Sequence, residues 1–130
     1  MKNLESFEAA AKSIGVDPNI LPSVTGLPQA EGKAIIAAYK LFIISKASWE
    51  GKKIDWNNDD QYKYYPWFDM ETYEDKADRV GSGVGFSDYG YGYAYSSSPV
   101  GSRLVFPTSE IAKYVGTTHL AIYRDLMVIE

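Results

Sequence analysis

The stretch that decides the fold is residues 29–49, QAEGKAIIAAYKLFIISKASW. Its apolar side chains recur at helical spacing and share one broad face: Ile35, Ala38, Tyr39, Phe42, Ile43 and Trp49. Ile36 and Leu41 widen that face, so the pattern predicts a central helix that is contacted on more than one side. Pro28 suits the first turn of such a helix, and Gly51 suits its end.

Shorter helices are predicted on either side of this one. Residues 4–14 place their apolar side chains on one face of a short amphipathic helix. Near the C-terminus, Thr108 or Ser109 is predicted to cap a helix that Gly116 breaks or ends. A further helix is predicted over residues 118–128.

The strands are predicted between the long helix and the C-terminal helices. A small antiparallel sheet would take parts of 64–73, 84–95 and 102–106, and Pro66 favours an edge or a bulge in the first of them. Clustered strands that do not alternate with helices favour the α+β class. The sequence therefore predicts one α+β domain, residues 1–130, in which a small sheet packs on the long helix and the C-terminal helices.

Composition limits the classes of function. The 130-residue chain has 45% hydrophobic and 23% charged residues, which is typical of a globular domain. It contains no cysteine, which excludes a disulfide framework, a cysteine zinc site and a thiol nucleophile. The net charge is −4, whereas a protein that binds duplex nucleic acid is usually basic overall. Neither a signal peptide nor a membrane-spanning stretch is evident, so we expect no membrane partner and a cytoplasmic location.

Three stretches superficially resemble functional motifs. Asp55, Asn57 and Asp59 match the first ligands of a calcium loop, but Pro66 stands where that loop needs a bidentate glutamate, so a solvated turn is the better interpretation. The glycines of 81–85 are followed by a strand pattern and not by the helix that a phosphate-binding loop requires. His119 is the sole histidine, and the sequence contains no nucleophile motif that would use it as a base. We therefore predict no enzyme, no cofactor and no metal.

Aromatic residues are the unusual feature, with 11 Tyr, 3 Trp and 5 Phe. Part of the cluster is expected to fill the core of the sheet, and part is expected to bind. The predicted binding residues are six aromatic and two basic ones: Tyr64, Tyr65, Trp67, Tyr89, Tyr91, Tyr93, Lys63 and Arg103. Gly90, Gly92 and Ala94 would leave the opposite face of this strand bare, which would permit close approach of a second copy.

Three long stretches resemble a known family: LPSVTGLPQAEGKAIIAAYKLFII, DWNNDDQYKYYPWFDM and VGSRLVFPTSEIAKYVGTTHLAIYRDLMVI. They are similar to a family of small proteins from bacteriophages and prophages of gut Bacteroidales, over roughly residues 20–130, with KYYPWF and GSRL as the most specific segments. Val105 and Val115 depart from that pattern, in which cysteine and alanine are expected. The resemblance implies association with a phage and implies no biochemical activity.

The sequence leaves three hypotheses for function. The first is a non-enzymatic phage or prophage protein that acts by binding, either to itself as a homo-oligomer, to a virion component or to a host protein. The second is a binder of single-stranded nucleic acid, in which Lys63 and Arg103 would contact phosphates between stacked aromatic residues. The third is an anti-defence protein that sequesters a ligand or blocks an effector. The first two predict action in the host cytoplasm or in the virion.

Overall fold

The computed structural model describes residues 1–70 and 87–129, except for the side chains of residues 87–89. Within these ranges the chain forms four α-helices and two strands: α1 (Phe7–Ser13), α2 (Gln29–Ser48), β1 (Lys63–Asp69), β2 (Ser87–Ala94), α3 (Ser109–Thr118) and α4 (Leu120–Met127). Single turns of 3-10 helix lie at Lys2–Leu4 and Ser102–Leu104. The predicted α+β class is confirmed, with a long helix, C-terminal helices and a small antiparallel sheet.

The long helix α2 is central, as predicted. Both α1 and α4 pack against it, and Ala37, Leu41 and Ile44 are buried at a spacing that places them on one face. Ile43 of the predicted face is buried too, whereas Ile35 of that face remains 43% exposed. The C-terminal half of α2 is contacted on several sides, and Trp49 just beyond it is buried.

Local residue types explain where α1 and α3 begin. Ser6 caps α1 by accepting a hydrogen bond from the Ala9 N–H at 3.0 Å, so this helix begins later than predicted. Thr108 is the predicted cap of α3 and accepts from the Ile111 N–H at 3.1 Å. The prediction that Gly116 breaks this helix is wrong. Gly116 is buried within α3, where a residue without a side chain allows close packing, and the helix continues to Thr118.

The two strands form an antiparallel ribbon, and α3 packs across both of them. Its register pairs Tyr64 with Tyr93 and Tyr65 with Gly92, and it shifts between Trp67 and Phe68. The predicted third strand over 102–106 is wrong, because that segment contributes a 3-10 turn and a single bridge to β1.

A proline in β1 explains why the third strand stops after one rung. The N–H and C=O of Tyr64 bond to Phe106, at 2.9 and 2.7 Å, on the outer edge of β1. Backbone groups alternate along a strand, so the next outward position of β1 is Pro66, which has no N–H to donate.

The segment between the ribbon and α3 is fastened to α2. The carbonyl of Val105 accepts hydrogen bonds from Ser45 Oγ at 2.6 Å and from Trp49 Nε1 at 2.9 Å. Val105 and Phe106 are fully buried in the same core as Leu41 and Ile44 of α2. The ribbon therefore has a fixed position relative to the long helix.

Candidate functional site

The register divides the aromatic residues of the ribbon between its two faces. Tyr64 lies beside Tyr93 and Pro66 beside Tyr91 on one side, whereas Tyr65 lies beside Gly92 and Trp67 beside Gly90 on the other. We call the first side, together with the neighbouring rings at the end of the ribbon where β1 begins and β2 ends, the tyrosine face: Tyr62, Tyr64, Tyr91, Tyr93 and Tyr95. We call the second side the glycine face: Tyr65, Trp67, Gly90 and Gly92.

The rings of the tyrosine face contact one another. Tyr62 stacks on Tyr93 with ring centroids 5.4 Å apart and meets Tyr95 edge-on at 4.9 Å. Tyr64 meets Tyr91 edge-on at 5.8 Å. Such pairs add favourable energy beyond the burial of area, so they hold the rings in place. Four of the five rings are nevertheless 40–50% exposed: Tyr62, Tyr91, Tyr93 and Tyr95.

On the glycine face, Gly92 is covered by the chain itself, whereas Trp67 remains 50% exposed. A Cβ at Gly92 would lie 2.2 Å from Nε1 of Trp67 and 2.7 Å from ring atoms of Tyr65, so both rings cover this glycine. The sequence-based hypothesis of a bare small-residue face for a second copy is therefore wrong at Gly92. The cross-strand neighbours of β1 occupy that space, as aromatic residues often do over a glycine in a sheet.

Lys63 does not flank the aromatic residues on the surface, and this prediction is wrong. Its side chain is fully buried, and its Nζ donates to the carbonyls of Asp55 and Tyr95, each at 2.6 Å, and of Asn58 at 3.2 Å. It also lies 5.0 Å from the ring centroid of Trp56. A buried ammonium needs such partners, and here it fastens the loop before β1 to the residue after β2.

The loop that resembles a calcium site is built around this ammonium. Asp55 Oδ1 accepts from the Asn57 N–H, and Asn58 Oδ1 accepts from the Asp60 N–H, each at 2.9 Å. These are Asx turns, as the sequence predicts. Across the described ranges, no three His, Asp or Glu side chains come close enough to hold a metal ion.

Arg103, another predicted binding residue, contacts a ring outside the tyrosine face. Arg103 lies over the ring of Phe42 on α2, 5.7 Å from its centroid, because the 3-10 turn directs residues 102–104 toward that helix. Tyr89 belongs to β2, but its side chain lies outside the described residues, as does the glycine-rich stretch 81–85.

The predicted binding residues leave out Tyr62 and Tyr95, which the structure adds to the tyrosine face. Tyr62 contacts Tyr64, Tyr93 and Tyr95 and is the ring that connects the two strands at this end. The alternation of Tyr62, Lys63 and Tyr64 could have found it, since residues two apart share a face.

The charges around the tyrosine face are mostly acidic. Burial raises the pKa of Tyr64, with smaller contributions from neighbours that include Glu110 of α3. Hydrogen bonding with Tyr93 and then with Tyr62 raises the pKa of Tyr95 to about 12. Asp60 lies at a shallow depression beside Tyr62 and Tyr64. The described cation nearest the rings is Lys113 of α3, whose Nζ lies 5.2 Å from the ring centroid of Tyr91.

His119, and Ser98 in the turn after β2, have structural partners. His119 is buried between α3 and α4, and its Nε2 donates to the carbonyl of Leu4 at 2.7 Å. The hydroxyl of Ser98 accepts from the N–H groups of Val100 and Gly101 in a turn. None of the helices in the described part of the chain is long and apolar enough to cross a bilayer.

No family model, curated protein or solved structure matches this chain.

Proposed function

We propose that this protein acts by binding another protein through the tyrosine face. The observation that carries the proposal is a set of contacting tyrosine rings that stay 40–50% exposed on a hydrogen-bonded ribbon. Tyrosine offers a large, rigid contact area and loses little conformational entropy when it is bound. Rings already held by their neighbours lose even less, which favours affinity.

The surroundings of the face have the composition of natural recognition surfaces. The ribbon ends in YGYGYAYSSSP (89–99), in which tyrosine alternates with glycine and is followed by serine. Antibody binding loops combine the same residues, with tyrosine as the anchor and serine, glycine and asparagine as adaptable hydrogen-bonding groups. Asn57 and Asn58 lie in the neighbouring loop, which Lys63 fixes to the end of the ribbon.

The charge pattern favours a protein partner over single-stranded nucleic acid. A surface that binds single strands needs cations to follow the phosphates between stacked bases. Lys63 is buried and Arg103 faces α2, so neither predicted cation is available at the rings. Asp60 and Glu110 lie beside Tyr64, and Lys113 lies over Tyr91, so two carboxylates face one cation at the described rings and would oppose the binding of phosphate. We expect the partner to present arginine or lysine, which would contact both the carboxylates and the ring faces.

The identity of the partner follows from the resemblance only in outline. For a phage or prophage protein, it would be a virion component, a host protein or a second copy of this chain. The complex would then form in the host cytoplasm or in the virion.

The proposal can be tested by placing a photo-reactive benzoylphenylalanine at Tyr93 and irradiating the organism that encodes the protein. We expect a discrete adduct with one other protein or with a second copy, identified by mass spectrometry. The matched control carries the same group at Ile35 of α2, which is similarly exposed at 43%. We expect it to yield no such adduct.

Two outcomes would contradict the proposal. A nuclease-sensitive adduct at Tyr93 would assign the face to nucleic acid. The same adducts from Tyr93 and Ile35 would show that the tyrosine face has no preference over an ordinary exposed position.

A further inference from the structure

A second concave site lies between α2 and the turn at Ser102–Leu104, away from the ring contacts of the tyrosine face. The cavity has a volume of about 520 Å³, and its lining includes Tyr39, Phe42, Trp49 and Ile54. This volume is within the range of roughly 300–1,000 Å³ that small-molecule sites occupy, and such sites are lined mainly by apolar and aromatic groups.

Both walls of the cavity are fixed by hydrogen bonds. Ser45 and Trp49 donate to the carbonyl of Val105, which joins α2 to the segment that follows the turn. The indole N–H of Trp56 donates to Ser102 Oγ and holds the other end of the turn. A site whose walls are already in place loses little free energy to reorganisation when a ligand binds.

Two cations line this mainly apolar cavity. Arg103 lies over the ring of Phe42, and Lys46 is one turn along α2 from it. Among residues 1–70 and 87–129, no carboxylate forms an ion pair with either of these two cations. The polar groups of Ser45 and Trp49 are already used, which leaves the guanidinium and the ammonium to recognise a ligand.

We propose that this cavity binds a planar aromatic anion, with its ring against Phe42 and Tyr39 and its acidic group on Arg103 and Lys46. Arginine forms paired hydrogen bonds with carboxylate, sulfonate or phosphate oxygens, and the aromatic lining supplies the contact for a flat ring. The site is independent of the tyrosine face and of any protein that binds there.

The test compares two fluorescent probes with the same rings. Anilinonaphthalene sulfonate carries a negative charge, and phenylnaphthylamine carries none. We expect saturable binding of the sulfonate, with shifts in the amide NMR signals of α2 around Phe42 and in the indole signal of Trp49. Arg103→Gln should weaken binding of the sulfonate by about tenfold and should change the affinity for the uncharged probe by less than about twofold. Lys46→Gln should act in the same direction with a smaller effect, because lysine makes a less directional contact.

Lys113→Gln is the matched control, since this lysine also lies over an aromatic ring but belongs to the tyrosine face. We expect it to change the affinity of neither probe, and circular dichroism checks that each variant keeps its fold. The proposal is overturned if the sulfonate does not bind saturably or if Arg103→Gln weakens both probes equally. It is also overturned if the NMR shifts occur at Tyr91 and Tyr93 instead of α2.

Discussion

On the glycine face of the ribbon, Trp67 and Tyr65 lie across the backbone of Gly92, whereas on the tyrosine face the rings lie against one another. Both faces are rich in aromatic residues, yet they leave different surfaces for a partner. On the first, Trp67 and Tyr65 fill the space over Gly92, and Trp67 itself remains 50% exposed. On the second, ring contacts fix the tyrosines but leave much of each ring exposed.

The difference teaches that the register of pairing, and not aromatic content, decides which rings contact one another and which lie over the backbone. Because side chains alternate along a strand, a shift of one residue would exchange the two faces. Lys63 and Pro66 both act on this register. The lysine joins the start of β1 to the residue after β2, and the proline limits pairing on the outer edge. The following predictions disturb these contacts, in order of decreasing effect.

Replacement of Lys63 by methionine should have the largest effect. It would remove three hydrogen bonds from a buried ammonium and leave their carbonyl acceptors to find water, at a cost of about 3 kcal/mol in the free energy of unfolding. Urea unfolding measures this loss. Lys52→Met, at an exposed position in the preceding loop, is the control and should change stability by less than about 0.5 kcal/mol. Equal effects of the two substitutions would refute the role given to Lys63.

Gly92→Ala should disrupt the packing of aromatic rings on the glycine face. The new methyl group would overlap Nε1 of Trp67, and displacement of that ring should cost about 2 kcal/mol. In the background of Trp67→Ala, the same substitution should cost clearly less, because the overlap with the indole is gone. Thermal unfolding of the two single variants and the double variant gives the comparison. Strict additivity would show that the indole does not cover Gly92.

The tyrosine face should respond more weakly in stability. A double-mutant cycle of Tyr62→Leu and Tyr93→Leu should give a coupling energy of about 0.5–1 kcal/mol, since the two rings stack at the exposed end of the ribbon. Each single variant should unfold cooperatively. A coupling energy near zero would mean that these rings are not held together before a partner binds.

A rise in pH above about 10, the ordinary pKa of tyrosine, should have the smallest effect on stability among these predictions. The folded state holds the pKa of Tyr95 at about 12 and raises the pKa of Tyr64, so it binds more protons than the unfolded chain above that pH. Stability should therefore be constant from neutral pH to about pH 10 and fall as the pH rises further. The midpoint of thermal unfolding measures this, and Tyr95→Phe should reduce the slope. An unchanged slope in that variant would contradict the assignment to Tyr95.

The helices were predictable because their signals are local. The apolar spacing in residues 29–49 predicts α2 within one residue of its observed end, and Thr108 caps α3 as its residue type suggests. The third strand was not predictable from its own sequence. Residues 102–106 have a strand-like pattern, but whether they pair depends on Pro66, which lies opposite them only after folding.

The sequence predicts the types of residue in the proposed binding surface, but it does not predict where all of them lie in the fold. Alternation in 90–95 correctly predicts tyrosines on one face and small residues on the other. The burial of Lys63 depends on a loop that wraps around its ammonium, and no periodicity records such a contact. The cavity beside α2 was missed because Tyr39, Phe42 and Trp49 have the spacing of a core face, and only the fold shows that a cleft adjoins it.

The most direct test of the central claim is titration calorimetry with the protein captured at Tyr93. Wild-type protein, Tyr93→Ser and Ile35→Ser would be compared, with the last as an exposed apolar control on α2. We predict that Tyr93→Ser weakens binding by about tenfold or more, as expected for an anchor residue, and that Ile35→Ser changes it by less than about twofold. Equal affinity of Tyr93→Ser and wild-type protein would contradict the assignment of the tyrosine face as the binding surface.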